Sequence, residues 1–130
     1  MVEVGQSSTA TVVVSESNTA KTMKSSSLEV FATPAMCALM EEAAQAAIQP
    51  HLNDGEGSVG ISLSISHDAP SPIGATITAT ATVVAIEGRK ISFTVEAHDN
   101  ISVIGKGEHD RFIINNESFI KKVKTRANNN

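Results

Sequence analysis

Three groups of residues carry side chains able to do acid–base or nucleophilic work. They are Glu41 with Thr33 before it, His67 at the end of ISLSISH (61–67), and the pair His109 and Arg111 in IGKGEHDR (104–111). On a helix, Glu41 has Cys37, Ala38 and Ala44 as its neighbours at i−4, i−3 and i+3. A carboxylate beside small apolar side chains is partly desolvated, which suits a base or a nucleophile. The pattern equally fits a carboxylate that widens the solvated face. His67 shares a strand face with Ile61, Leu63 and Ile65. An imidazole there could orient a substrate, pass a proton, or serve as a hydrogen-bonded core histidine. Helix capping explains Thr33 without any catalytic role. Gly60 opens the run; it could bring a backbone N–H to a ligand oxygen, or simply turn the chain. Gly105, Gly107, His109 and Arg111 fall on one strand face. Two glycines there allow another backbone or a ligand to come close. Arg111 could pair a phosphate or be a surface charge.

Other chemistries find little support. His51, His67, His98 and His109 show no HxxxH spacing, which argues against a zinc site. No GxxxxGK[ST], GxGxxG or GxSxG occurs. Cys37 reads as a small core hydrophobe inside a helix.

The elements that must position these residues follow from periodicity. TATVVV (9–14) is β-branched and reads as a strand. Residues 15–27 are rich in Ser, Thr and Lys and read as loop with room for a short helix. Thr33 can cap, Pro34 suits the first helical position, and Ala35 to Gln49 is dense in Ala, Met and Leu. Glu42, Gln45 and Gln49 form one narrow stripe, so the helix is expected to be mostly buried. Pro50 ends it, and NDGEG (53–57) turns the chain. ISLSISH alternates strictly, and APSPIG (69–74) is another turn. ATITATATVVAI (75–86) is a long strand, followed by a hairpin signal at Glu87-Gly88. Residues 89–98 alternate, with Ile91, Phe93, Val95 and Ala97 inward, and 101–114 form the last strand. A short helix is expected over 116–125 and a frayed tail over 126–130. Four consecutive strands with short turns imply antiparallel neighbours. One apolar helix and one long sheet must cover each other, and a curved sheet wrapped round a central helix does so. This α+β arrangement is the hotdog fold.

Composition sets the outer bounds. The 130 residues fit one domain with a single core. At 41% hydrophobic and 18% charged, the chain is ordinary globular material. No apolar run spans a bilayer, and MVEVGQSST lacks a basic region followed by an apolar block, so no signal peptide is expected. One cysteine builds no disulfide framework, so a reducing, cytoplasmic setting is expected. A net charge of −4 and only four Phe, with no Trp or Tyr, argue against nucleic acid as a partner. A core so poor in aromatics often gains from a partner subunit, so an oligomer is expected.

Four blocks are similar in order and spacing to the fluoroacetyl-CoA-specific thioesterase-like proteins, a hotdog family. They are EVFATPAMCALMEEA (29–43), GEGSVGISLSISH (55–67), IEGRKISFTVEAHD (86–99) and IGKGEHDRFII (104–114). The resemblance covers about residues 28–125. It implies a homodimer, with a tetramer as the larger alternative, whose active site lies at the subunit interface and hydrolyses acyl-CoA thioesters. It implies Thr33, Glu41 and His67 as catalytic residues, the Gly60 backbone facing the thioester carbonyl, and Arg111 near the bound ligand. It implies no cofactor, coenzyme A being part of the substrate, and neither a membrane nor a metal. Two departures stand out. The fluoroacetyl-specific member carries a phenylalanine in a lid segment before the helix, whereas residues 20–29 hold no aromatic side chain here. Pro34 also follows Thr33 where a glycine is usual. A broader acyl-CoA substrate is therefore expected. The alternatives are a hotdog protein that binds an acyl ligand without turnover, and a hydratase, whose Asp/His block is not found here.

Overall fold

The computed structural model describes residues 1–129. Five strands and two helices follow in the order β1 (Ser7–Val13), α1 (Thr33–Ile48), β2 (Glu56–His67), β3 (Thr76–Glu87), β4 (Lys90–His98), β5 (Val103–Asn115) and α2 (Asn116–Asn128). Single 3₁₀ turns stand at Glu16–Asn18 and Gln49–His51. The strands form one antiparallel sheet in the order β1-β3-β4-β5-β2.

The sheet curls round α1. Met36, Leu39, Met40, Ala43, Ala44, Ala47 and Ile48 are its buried residues. They face Ile77, Ala79, Ala81 and Val83 of β3, and Ile91, Phe93, Val95 and Ala97 of β4, which point inward as their alternation predicts. Alanines stand on both the helix and the sheet, so the two approach closely, with Phe31 and Phe93 as the buried aromatic side chains. Each fully buried large aliphatic side chain contributes about 1.5–3 kcal/mol. Gly105 belongs to the same close approach. A Cβ there would lie 2.6 Å from the Ser66 carbonyl and 2.7 Å from Met36 Sδ. The pair Gly105/Gly107 thus admits β2 and the helix, not a ligand.

Several expectations need correction. β2 does not neighbour β3; it pairs with β5, and β3 lies between β1 and β4. Residues 68–75 are a crossing connection, not a hairpin. Pro70 and Pro72 lack the N–H a tight ladder needs, and the link is pinned by Phe31 N–H donating to the Ser71 carbonyl at 2.9 Å. β2 begins at Glu56, inside the expected turn cluster, because Gly55 at φ 81° completes the turn by itself. Ile61 is 52% exposed, not inward, because the β2–β5 register shifts between Gly60 and Ser62. The outer face of α1 is broader than a polar stripe, since Pro34 and Ala38 are exposed there as well. The end of the chain is helical to Asn128, capped by Asn115 Oδ1 accepting from Ser118 N–H at 3.0 Å. Residue 130 lies outside the described residues. No helix among those described is long and apolar enough to cross a membrane.

The β4–β5 turn depends on Asp99. Its Oδ1 accepts from Ile101 N–H at 2.8 Å and Ser102 N–H at 3.0 Å, and Ser71 Oγ donates to Oδ2 at 2.9 Å. These bonds, the backbone ones first, hold its carboxyl below the usual carboxylate range. The stabilisation is present above that range and is lost as pH falls through the folded-state value. Asp99→Ala is expected to cost about 1–3 kcal/mol in thermal or urea unfolding. Asp99→Asn should flatten the acid-side loss of stability.

Candidate active site

Thr33 does not cap α1. Ala32 takes the N-cap position with extended backbone, and Thr33 and Pro34 are the first two helical residues. The helix can start without a side-chain cap because its approach is fixed in other ways. Phe31 and Ala32 are buried, Ala32 N–H donates to the Asn18 carbonyl at 3.0 Å, and Pro34 has no N–H to satisfy. The hydroxyl is thereby released, and Thr33 Oγ1 lies 2.7 Å from His67 Nδ1.

His67 ends β2 opposite Gly105. Its Nε2 is buried with no hydrogen-bond partner. Burial pushes the imidazole below its ordinary pKa, against smaller opposing effects of Asp68 and the Ala69 backbone. Two neutral tautomers satisfy the Thr33 contact. If the hydroxyl donates to Nδ1, Nε2 carries a hydrogen; if Nδ1–H donates to the hydroxyl, Nε2 offers a lone pair. Thr33, Pro34 and His67 border a hollow of about 550 Å³ that Ser25, Ser26 and Phe31 also line.

Glu41 stands on the same helix eight positions later, about 12 Å along the axis. Its carboxylate is 46% exposed, and Oε2 lies 3.8 Å from Arg111 Nη1. Arg111 is buried, not a surface charge. It donates from Nε to Ser58 Oγ at 2.8 Å, from Nη2 to the Ser58 carbonyl at 3.0 Å, and from Nη1 to His109 Nε2 at 3.2 Å. Burial lowers the guanidinium pKa and Glu41 opposes this. Gly60 lies against this cluster. A Cβ there would sit 3.1 Å from His109 Cε1, 3.2 Å from Glu41 Oε2 and 3.5 Å from Arg111 Nη1. Bare backbone therefore faces the carboxylate, beside the register shift that turns Ile61 outward. Cys37 is half-buried next to Glu41; burial, then the carboxylate, pushes its thiol pKa up. Thr33, Pro34, Cys37, Glu41 and Arg111 line a second hollow of about 660 Å³.

The structure thus joins Thr33 to His67, and Glu41 to Gly60 and Arg111. The two hollows share Thr33 and Pro34 on their walls. Among the described residues, Glu41 hydrogen-bonds neither Thr33 nor His67. His109 belongs to the second group through Arg111, a role that its shared strand face with Arg111 could have signalled. Gly60→Ala needs both the buried His109 ring and the flexible Glu41 carboxylate to give by a few tenths of an ångström, and is expected to fold with the carboxylate displaced. That displacement should lower kcat by about tenfold with little change in KM, measured by steady-state thiol release.

The chain as a whole is similar to proteins of one family. The sequence model of the family described as FlK, fluoroacetyl-CoA-specific thioesterase, matches residues 14–117. A fluoroacetyl-CoA thioesterase of Streptantibioticus cattleyicolor is 44% identical over 99 residues, spanning 76% of this chain and 71% of that protein. The crystal structure of a phenylalanine-to-alanine mutant of FlK superposes with a TM-score of 0.90 at 39% identity, covering 97% of this chain and 98% of the other. A hot-dog-like protein from Thermanaerovibrio acidaminovorans gives a TM-score of 0.86 at 28% identity, covering 95% and 91%. The sheet-wrapped helix is the hotdog fold, and the chain belongs to the fluoroacetyl-CoA-specific thioesterase family.

Proposed function

We propose that this protein is an acyl-CoA thioesterase, hydrolysing a small or medium acyl-CoA thioester to the free acid and coenzyme A. The observation that carries the reading is the Glu41 carboxylate held against the bare Gly60 backbone beside a buried Arg111. That arrangement offers a thioester carbonyl an attacking carboxylate or its activated water beside exposed backbone. In one version Glu41 takes a proton from water, which adds to the carbonyl carbon. In the other, Glu41 attacks the carbon itself. The C–S bond breaks, coenzyme A departs as thiolate, and water then cleaves the anhydride to restore Glu41. The Gly60 N–H stabilises the oxyanion, and Arg111 holds charge beside it. His67, its ring anchored by Thr33, positions the carbonyl or water and helps proton transfer. A thiolate is a good leaving group, so the C–S bond breaks without much acid assistance. No cofactor enters these steps.

Fluoroacetyl-CoA is not the substrate this reading favours. Phe31 is the one aromatic in the lining of the first hollow; Ser25 and Ser26 also border it, and residues 20–29 supply no aromatic gate. The assembly is a homodimer, with a tetramer as the larger alternative. The separation of Thr33 from Glu41 along α1, the exposed Pro34 and Ala38, and Ile61 on the edge strand β2 all fit a second copy completing one pocket from two hollows. A single cysteine suits the cytoplasm.

Incubation with acyl-CoA in oxygen-18 water, followed by mass spectrometry, tests the reading. The expected result is free coenzyme A and a labelled acid. Label in the Glu41 peptide after repeated turnover marks the nucleophilic version with water adding to the Glu41 carbonyl of the anhydride; an unlabelled peptide means that water adds to the acyl carbonyl, which either version allows. Acyl-CoA recovered intact after prolonged incubation would overturn the reading.

A further inference from the structure

We infer that His109 is a positioning residue, whose Nε2 accepts a hydrogen bond from Arg111 and so fixes the aim of the guanidinium toward Glu41 and the bound thioester. The inference rests on the thioesterase reading of this site.

The contacts of His109 allow only one state of its ring. Nδ1 lies 2.7 Å from the Ser62 carbonyl, which can only accept, so Nδ1 carries the hydrogen. Nε2 lies 3.2 Å from Arg111 Nη1, which can only donate, so Nε2 holds a lone pair. The ring is therefore neutral and singly protonated at Nδ1. It is 1% exposed and stacks on Phe93 of β4, with centroids 5.9 Å apart and planes at 27°. Around it stand Ser62 on β2, Phe93 on β4, Arg111 and Asp110 on β5, and Glu41 on α1. Burial and Arg111 lower its pKa, while the Ser62 bond, Glu41 and Asp110 oppose this.

The effect on Arg111 is geometric. Ser58 fixes one edge of the guanidinium, through Nε and Nη2. His109 fixes the other end, at Nη1, the nitrogen nearest Glu41. Remove the acceptor and the Nη1 end loses its only neutral anchor among the described residues. Protonate Nε2 and an N–H meets an N–H, one cation against another. The bulge next to Ser62 provides the carbonyl that selects the tautomer, so the register shift serves Arg111 through His109.

The test is a double-mutant cycle with an independent spectroscopic readout. His109→Phe keeps the stack on Phe93 and deletes the acceptor. It is expected to lower kcat on an acyl-CoA substrate by about tenfold with KM nearly unchanged. His109→Gln supplies an amide oxygen to Arg111 and should recover most of that loss. In an Arg111→Lys background, His109→Phe should change kcat by less than about twofold, because the residue it acts through is gone. Equal losses in both backgrounds, or none in either, would overturn the proposal. If His109→Phe fails to fold, the same cycle with His109→Ala decides it. Nitrogen-15 spectra of the histidine rings need no turnover. The neutral Nδ1–H form at neutral pH is expected for His109, and an Nε2–H or imidazolium signal would overturn the proposal even in an active enzyme. The expected ring form in a wild-type protein that hydrolyses no acyl-CoA would instead overturn the thioesterase reading, and this role with it.

Discussion

Glu41→Gln is expected to lower kcat by at least about a thousandfold, whichever version of the chemistry operates. An amide neither takes a proton from water at neutral pH nor forms an anhydride. The substitution keeps the shape beside Gly60, so nothing needs to repack. The partner Arg111 retains its three hydrogen bonds to Ser58 and His109, so the buried cation is not left bare. Glu41 is itself about half exposed. Melting should therefore shift by only a few degrees, and acyl-CoA should still bind. Steady-state kinetics beside a thermal melt check both halves. A variant with wild-type kcat would remove Glu41 from the reaction.

His67→Ala is the second large effect, expected at about a hundredfold in kcat. The residue holds a buried, unpartnered Nε2, and its Nδ1 is fixed at 2.7 Å by Thr33 Oγ1. Thr33→Val should cost about tenfold, by releasing the ring from its anchor at Nδ1. The two losses should not add, because the second substitution removes a contact already lost. The pH profile follows from burial. The imidazole pKa lies below its ordinary value of 6.5, so the neutral, working form persists through neutral pH. Activity should fall only as pH drops through the lowered value. Stability shares the sign. The unfolded chain binds this proton more readily, so folding is penalised as pH falls below about 6.5 and the penalty is complete below the folded-state value. His67→Ala should lose that part of the acid-side decline in melting temperature.

Much of this was legible from residue patterns. The Ala- and Met-rich run after Pro34 specified α1, and the alternation of Ile91 to Ala97 specified the inner face of β4, because both signals are local. Thr33 was misread as a cap because a threonine before a proline is a good local cap. Its release depends on the distant contacts of Phe31 and Ala32. Strict alternation in ISLSISH concealed the bulge, which exists only in register with β5, and so it placed Ile61 inward. The β2–β5 pairing was illegible because short turns favour sequential neighbours. Here two prolines and the buried Ser71–Asp99 contact carry the link across. Arg111 reads locally as either a phosphate partner or a surface charge, because no local pattern announces that Ser58 and His109 will bury it. Resemblance, not periodicity, pointed to Thr33, Glu41 and His67. Their division into two groups emerged only in three dimensions.

The measurement that tests the central claim most directly is thiol release by the wild-type protein, followed with a chromogenic disulfide reagent across short, medium and aromatic acyl-CoAs. Turnover on at least one small or medium acyl-CoA is the expected result. No thiol release from any of them, with thermal shift still reporting acyl-CoA binding, would contradict the account and leave a binding protein in the place of an enzyme.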